Sequence, residues 1–148
     1  MLDFDGIFTN SYKRLLGLDK IDSGQLGETF FSNFYERFIS ASPDVRKKFQ
    51  NTDMQNQKIV LHESLYHMLD FYVIKHATDY MQRIAEIHSK KDKDISPHLY
   101  DIWLESLVAT VRELDPEYDR DVGLAWKIVM SAGIMYMKEM YERNDEST

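Results

Sequence analysis

The chain has 148 residues, of which 43% are hydrophobic, 13% aromatic and 29% charged, enough for one soluble globular domain over 1–148 and too apolar for disorder. A formal net charge of −7 repels phosphate backbones and argues against nucleic acid as a partner, and there is no apolar run long enough to cross a bilayer. The absence of cysteine excludes a disulfide framework and thiolate metal sites; together with the acidic start Met-Leu-Asp-Phe-Asp, where a leader would be basic, it favours the cytoplasm.

Helix signals run the length of the chain. A first helix is expected from about Phe4 to Leu16, stopped by Gly17, and a second from about Gly24 to Ser40, with Phe30, Phe34 and Phe38 at helical intervals. Ser42-Pro43 opens a short third helix to Phe49, because proline in the first turn loses no hydrogen bond and the preceding serine can cap. Thr52-Asp-Met-Gln55 reads as a capping box for a fourth helix from Asp53 to about Ile74. A fifth covers Thr78 to His88. The charged stretch Lys90-Lys91-Asp92-Lys93 then reads as a solvated loop. Ser96-Pro97 starts a sixth helix to Leu114, with Trp103, Leu107, Val111 and Leu114 in phase. By the same proline signal Asp115-Pro116 starts the last, which runs to about Arg143 before a frayed tail. That helix carries Trp126, Val129, Met130, Gly133, Ile134 and Met137 on more than one side, the pattern of a helix central in a bundle. No strand-like alternation stands out, so the fold class is all-α, with about seven helices.

Two metal motifs fail on spacing. His62-Glu63 and His67 suggest a zinc protease, but that motif needs histidines four apart; five apart turns them about 140° away from each other. A di-iron bundle needs glutamate three residues before histidine, and the five histidines are preceded there by Ile59, Ser64, Val73, Ala85 and Ile95. Glycine-rich phosphate loops and Gly-x-Ser-x-Gly are missing.

What survives is an ordered set. Phe34-Tyr-Glu-Arg-Phe-Ile-Ser-Ala-Ser-Pro-Asp-Val-Arg-Lys-Lys-Phe49 is followed by Gln57, then by His88 late in a helix, then by Tyr100 and Ala125-Trp126. From roughly Phe30 to Tyr141 this resembles the bacterial single-domain globins and the globin domains of flavohaemoglobins. The resemblance implies a globin fold around a haem pocket and non-covalent haem b, since without cysteine no thioether attachment is possible. His88 would be the proximal iron ligand, with Phe49 packing on the haem, Leu61 lining the distal side one turn after Gln57, and Tyr100 on the proximal side near His88. Tyr35 and Gln57 would be the distal pair, a phenol O–H and an amide N–H able to donate to the partial negative charge that bound dioxygen acquires. The implied function is reversible binding of dioxygen, NO or CO.

Alternatives remain open at this point. Nitric oxide dioxygenase chemistry would need a separate reductase as partner, because this chain carries only the globin part. A haem-free regulatory module of globin fold would do without the cofactor. In the family a glutamate of the last helix supports the proximal tyrosine; counted without gaps from Ala125-Trp126, that position holds Tyr141, while Glu139 and Glu142 lie close by and out of phase. The loop after His88 is also longer than in the family. Either His62 or His67 could be an internal sixth ligand if their helix shifts, His62 needing a rotation; His76 and His98 read as surface residues, and the eight methionines read as core filler. Oligomeric state is not legible.

Overall fold

A computed structural model describes residues 2–17 and 25–146. Seven helices and no strand occur among them: α1 (Phe4–Leu16), α2 (Gln25–Ala41), α3 (Pro43–Lys48), α4 (Met54–Ile74), α5 (Asp79–His88), α6 (Pro97–Leu114) and α7 (Arg120–Glu146). The all-α expectation holds, and most boundaries fall within a residue or two of the sequence reading. The expected start of the second helix at Gly24 lies outside the described residues.

Local chemistry explains the boundaries, including those that moved. Ser42 caps α3 as expected, its Oγ accepting from the Asp44 N–H at 3.1 Å. Ser96 stands at the start of α6 without a side-chain cap, so the proline there acts alone. The cap of α4 is Asp53 rather than Thr52: its carboxylate accepts from the N–H groups of Gln55 and Asn56. Thr78 caps α5 through Met81 N–H. The largest difference is at α7, which starts at Arg120 instead of Pro116. Asp115 does accept from Glu117 N–H, but its carboxylate is also bound by side chains of α1, only a turn follows it, and Asp119 accepts from Val122 N–H where the helix begins. At its other end α7 runs to Glu146, past the expected stop near Arg143.

That other engagement of Asp115 ties the N-terminal helix to the bundle. Ser11 Oγ donates to Asp115 at 2.6 Å, and Arg14 donates twice, from Nε at 2.7 Å and Nη2 at 2.9 Å. Glu117 N–H adds a fourth bond, and Trp126 Nε1 donates to Ser11 Oγ. Burial alone would raise the Asp115 pKa, but the bonds from Arg14, Ser11 and Glu117 outweigh it and hold the carboxyl below its ordinary value. The carboxylate's contribution to stability is therefore complete above the ordinary carboxylate pKa, and it is lost as pH falls through the lower folded-state value. Replacing Asp115 by Ala strands a partly exposed guanidinium and is expected to cost about 2–3 kcal/mol. Urea unfolding at neutral pH checks this; an unchanged midpoint would show that the network holds α1 without adding stability.

The core follows the helical spacing. Phe30, Phe34 and Phe38 are buried on α2, as are Leu107 and Val111 on α6. Helix α7 buries Trp126, Val129, Met130, Ile134 and Met137 and packs against α1, α4, α5 and α6, the central position its apolar sides called for. By contrast α2 and α4 meet only lightly. Between α2, α4, α5 and α6 the side chains do not close, and a cavity is left.

Candidate functional site

The cavity encloses about 440 Å³, within the range of small-molecule sites. Its wall includes Tyr35, Phe49, Gln57, Leu61, His88 and Tyr100, so all six residues singled out from the sequence are brought together around one space. The remainder is mostly apolar, with Phe38, Val60, Met68, Met81, Ile84 and Trp103 among the lining residues.

Helix α5 delivers His88 as its last residue. The chain after it folds back on the helix end. Lys93 N–H donates to Ile87 O at 2.9 Å, Ile95 N–H donates to His88 O at 3.0 Å, and Ser89 Oγ donates to Glu86 O at 2.7 Å. These bonds satisfy the last carbonyls of α5 and fix the imidazole's backbone. Burial, with the Lys93 cation as a second cause, pushes the His88 pKa down to about 4. The ring is therefore neutral near pH 7, and its buried Nδ1 has no hydrogen-bond partner. A buried imidazole nitrogen left unpaired costs stability and calls for an explanation.

On the same cavity wall, Tyr35 comes from α2 and Gln57 from the first turn of α4. Gln57 Nε2 donates to the Tyr35 hydroxyl oxygen at 3.2 Å. The Tyr35 O–H reaches only Gln57 O, at 3.5 Å, a weak contact. Burial raises the Tyr35 pKa and the Gln57 bond offsets only part of that, so the phenol keeps its proton. The pair thus presents a neutral O–H whose present acceptor is poor. Phe49, just past α3, packs edge-on against Tyr35 and Phe38 with ring centroids 5.7 and 5.9 Å away.

Tyr100 lies with its ring 6.4 Å from that of His88, and burial first, then Tyr141, raises its pKa. Tyr141 donates a hydrogen bond to Asp94, in the loop after His88. The carboxylate in this corner is thus an aspartate from the loop. Glu139 is exposed and pairs with Arg143 at 2.9 Å, and the Glu142 side chain lies outside the described residues.

The remaining histidines lie elsewhere. His62 is buried between Tyr12 and Phe31, with ring centroids 5.9 and 5.3 Å away, and does not line the cavity. His67 stacks on Tyr80 at 3.7 Å. His76 and His98 are exposed, His98 beside Asp44.

Several wall residues were not singled out from the sequence. Ser64 and Met68 follow Gln57 and Leu61 along one face of α4, and Met81 and Ile84 precede His88 on α5 at helical spacing, so periodicity could have found them. Tyr80 bonds Ser64 across the α4–α5 corner at 3.0 Å. Lys48 and Lys93 carry no such signal. They meet at the solvent edge of the cavity, where Lys48 Nζ donates to Lys93 O at 3.0 Å.

An all-helical bundle around an apolar cavity lined by a histidine, a tyrosine and a glutamine is consistent with a globin. The chain is 32% identical to a Pseudomonas aeruginosa protein whose crystal structure is described as highly homologous to a human haemoglobin. The two superpose with a TM-score of 0.81, over 94% of this chain and 98% of that one. The chain belongs to the bacterial globin-like family. No protein-family model and no curated protein matches it.

Proposed function

We propose that the protein binds haem b non-covalently and, through it, a diatomic gas such as dioxygen, NO or CO. The observation that carries this reading is His88: a half-buried, neutral imidazole with a buried, unpaired ring nitrogen, on the wall of an apolar cavity that two polar donors also line. Imidazole suits haem iron, and the donor set fits the group. When bound, haem would supply an iron able to take a diatomic gas.

The chain's own residues would do the rest. His88 would hold the iron, with its orientation set by the backbone bonds that close the loop over α5. Phe49, Leu61 and the apolar wall would pack on the macrocycle and keep water out. Lys48 and Lys93 at the solvent edge would offer cations to its carboxylates. Tyr35 would turn its O–H from the distant Gln57 carbonyl toward the gas, steered by the Gln57 amide.

Absorption spectra of the protein produced with haem available test this in ferric, ferrous and ferrous–CO forms. A stoichiometric Soret band that shifts with CO is expected. A folded, helical, colourless protein would overturn the reading and leave a haem-free module of globin fold in its place.

A further inference from the structure

A second depression lies on the outer side of α2 and α4. It encloses about 370 Å³ between Ser32, Glu36, Ile39, Ser40, Met54 and Lys58, and its floor is Tyr35. Among the described residues, Tyr35 is common to the walls of this groove and of the central cavity, so its side chain lies where the two come together.

The seam that carries the groove is held by polar links rather than by tight packing. On the inside, Gln57 holds the Tyr35 hydroxyl. On the outside, Lys58, the next residue along α4, donates to Glu28 at 2.8 Å and to Ser32 at 3.0 Å, and Ser32 donates to Glu28 at 2.9 Å. Glu28 and Ser32 precede Tyr35 on α2 by about two turns and one turn. Contacts of this kind are weak at a surface and open on short timescales.

We propose that small neutral ligands enter the cavity through this α2–α4 seam, with Tyr35 as the inner door and the Glu28–Lys58–Ser32 cluster as the outer latch. The proposal rests on the gas-binding reading for its ligand. The residue that holds the gas would then also be the one that admits it.

Carbon monoxide is uncharged, so any effect of salt on its entry must come from the protein. With haem bound, CO association after flash photolysis should speed up as salt rises from about 0.01 M to about 1 M, over which the Debye length falls from about 30 Å to about 3 Å and the latch is screened. Lys58→Met should be faster at low salt and insensitive to it. Ser40→Phe, which fills the groove, should slow association by about tenfold, a modest step in the range that mutations impose on association rates. Gln55→Phe, exposed on α4 and on the wall of neither pocket, is the control and should leave the rate near its original value, while Thr52→Phe, on the main cavity wall, tests entry from that side instead. Slowing by Thr52→Phe with none by Ser40→Phe, or a rate indifferent to salt, would overturn the route. If the chain takes up no haem, the gas-binding reading fails on its own. The route is then decided by dissolved-oxygen quenching of Trp103, which lines the cavity: slower quenching in Ser40→Phe supports the seam, and slower quenching only in Thr52→Phe overturns it.

Discussion

His88→Leu is expected to move two measurements in opposite directions. Loss of the imidazole should weaken haem uptake by more than about 100-fold, beyond what removal of an outer partner of a metal ligand costs. The same change should stabilise the cofactor-free chain. The Nδ1 of His88 is buried and unpaired, and an unsatisfied buried polar atom costs about 1–3 kcal/mol. Leucine fits the apolar wall of Met81, Ile84 and Leu99 without that penalty, so the unfolding free energy should rise by about 1 kcal/mol. Haem titration and urea unfolding of the haem-free protein, run on both chains, give the two numbers. A variant that loses haem and stability together would mean that His88 is an ordinary core residue whose loss damages the fold. A variant that keeps the wild-type Soret band would falsify the ligand assignment.

The second large effect is expected at Tyr35. In Tyr35→Phe, dioxygen should escape about ten- to hundredfold faster, the equivalent of one hydrogen bond to a charged acceptor. CO draws less from such donors and should change far less. The argument depends on the state of the hydroxyl without gas: its proton has only a 3.5 Å contact with a carbonyl, so little is given up when it turns inward. Gln57→Leu should raise the escape rate as well, partly by freeing Tyr35 from the 3.2 Å bond that aims it. The double variant should therefore cost less than the two single changes combined, because they share one network. Stopped-flow displacement of dioxygen by CO gives the rates. Strict additivity would mean that the two side chains act separately.

The sequence carried most of this arrangement because its periodicities and its ordered polar residues agree. The aromatic spacing on α2, the apolar sides of α7 and the Ser42-Pro43 start are local statements, and tertiary packing left them standing. Asp115-Pro116 failed for a nonlocal reason. The aspartate still accepts from the Glu117 N–H, but it is also bound by Ser11 and Arg14, about a hundred residues earlier in the chain, and no short window contains that information. The wall residues on α4 and α5 were legible as extensions of the Gln57 and His88 faces. The meeting of Lys48 with Lys93 was not, since a charged loop reads as solvated until the chain folds it over a cavity. Nor was the bond between Tyr141 and Asp94, which joins the last helix to the loop after His88.

His62 has a consequence for kinetics. It sits on the far side of α4, wedged between Tyr12 and Phe31, while the face of α4 toward the cavity carries Gln57, Val60, Leu61, Ser64 and Met68 and no imidazole. For His62 to enter, α4 would have to roll by about 140° on its axis, drawing a buried ring out of two aromatic contacts. In the gas-binding reading, capture then waits for no internal group to leave. The observed rate should climb in proportion to gas concentration, without the plateau that a departing histidine would impose.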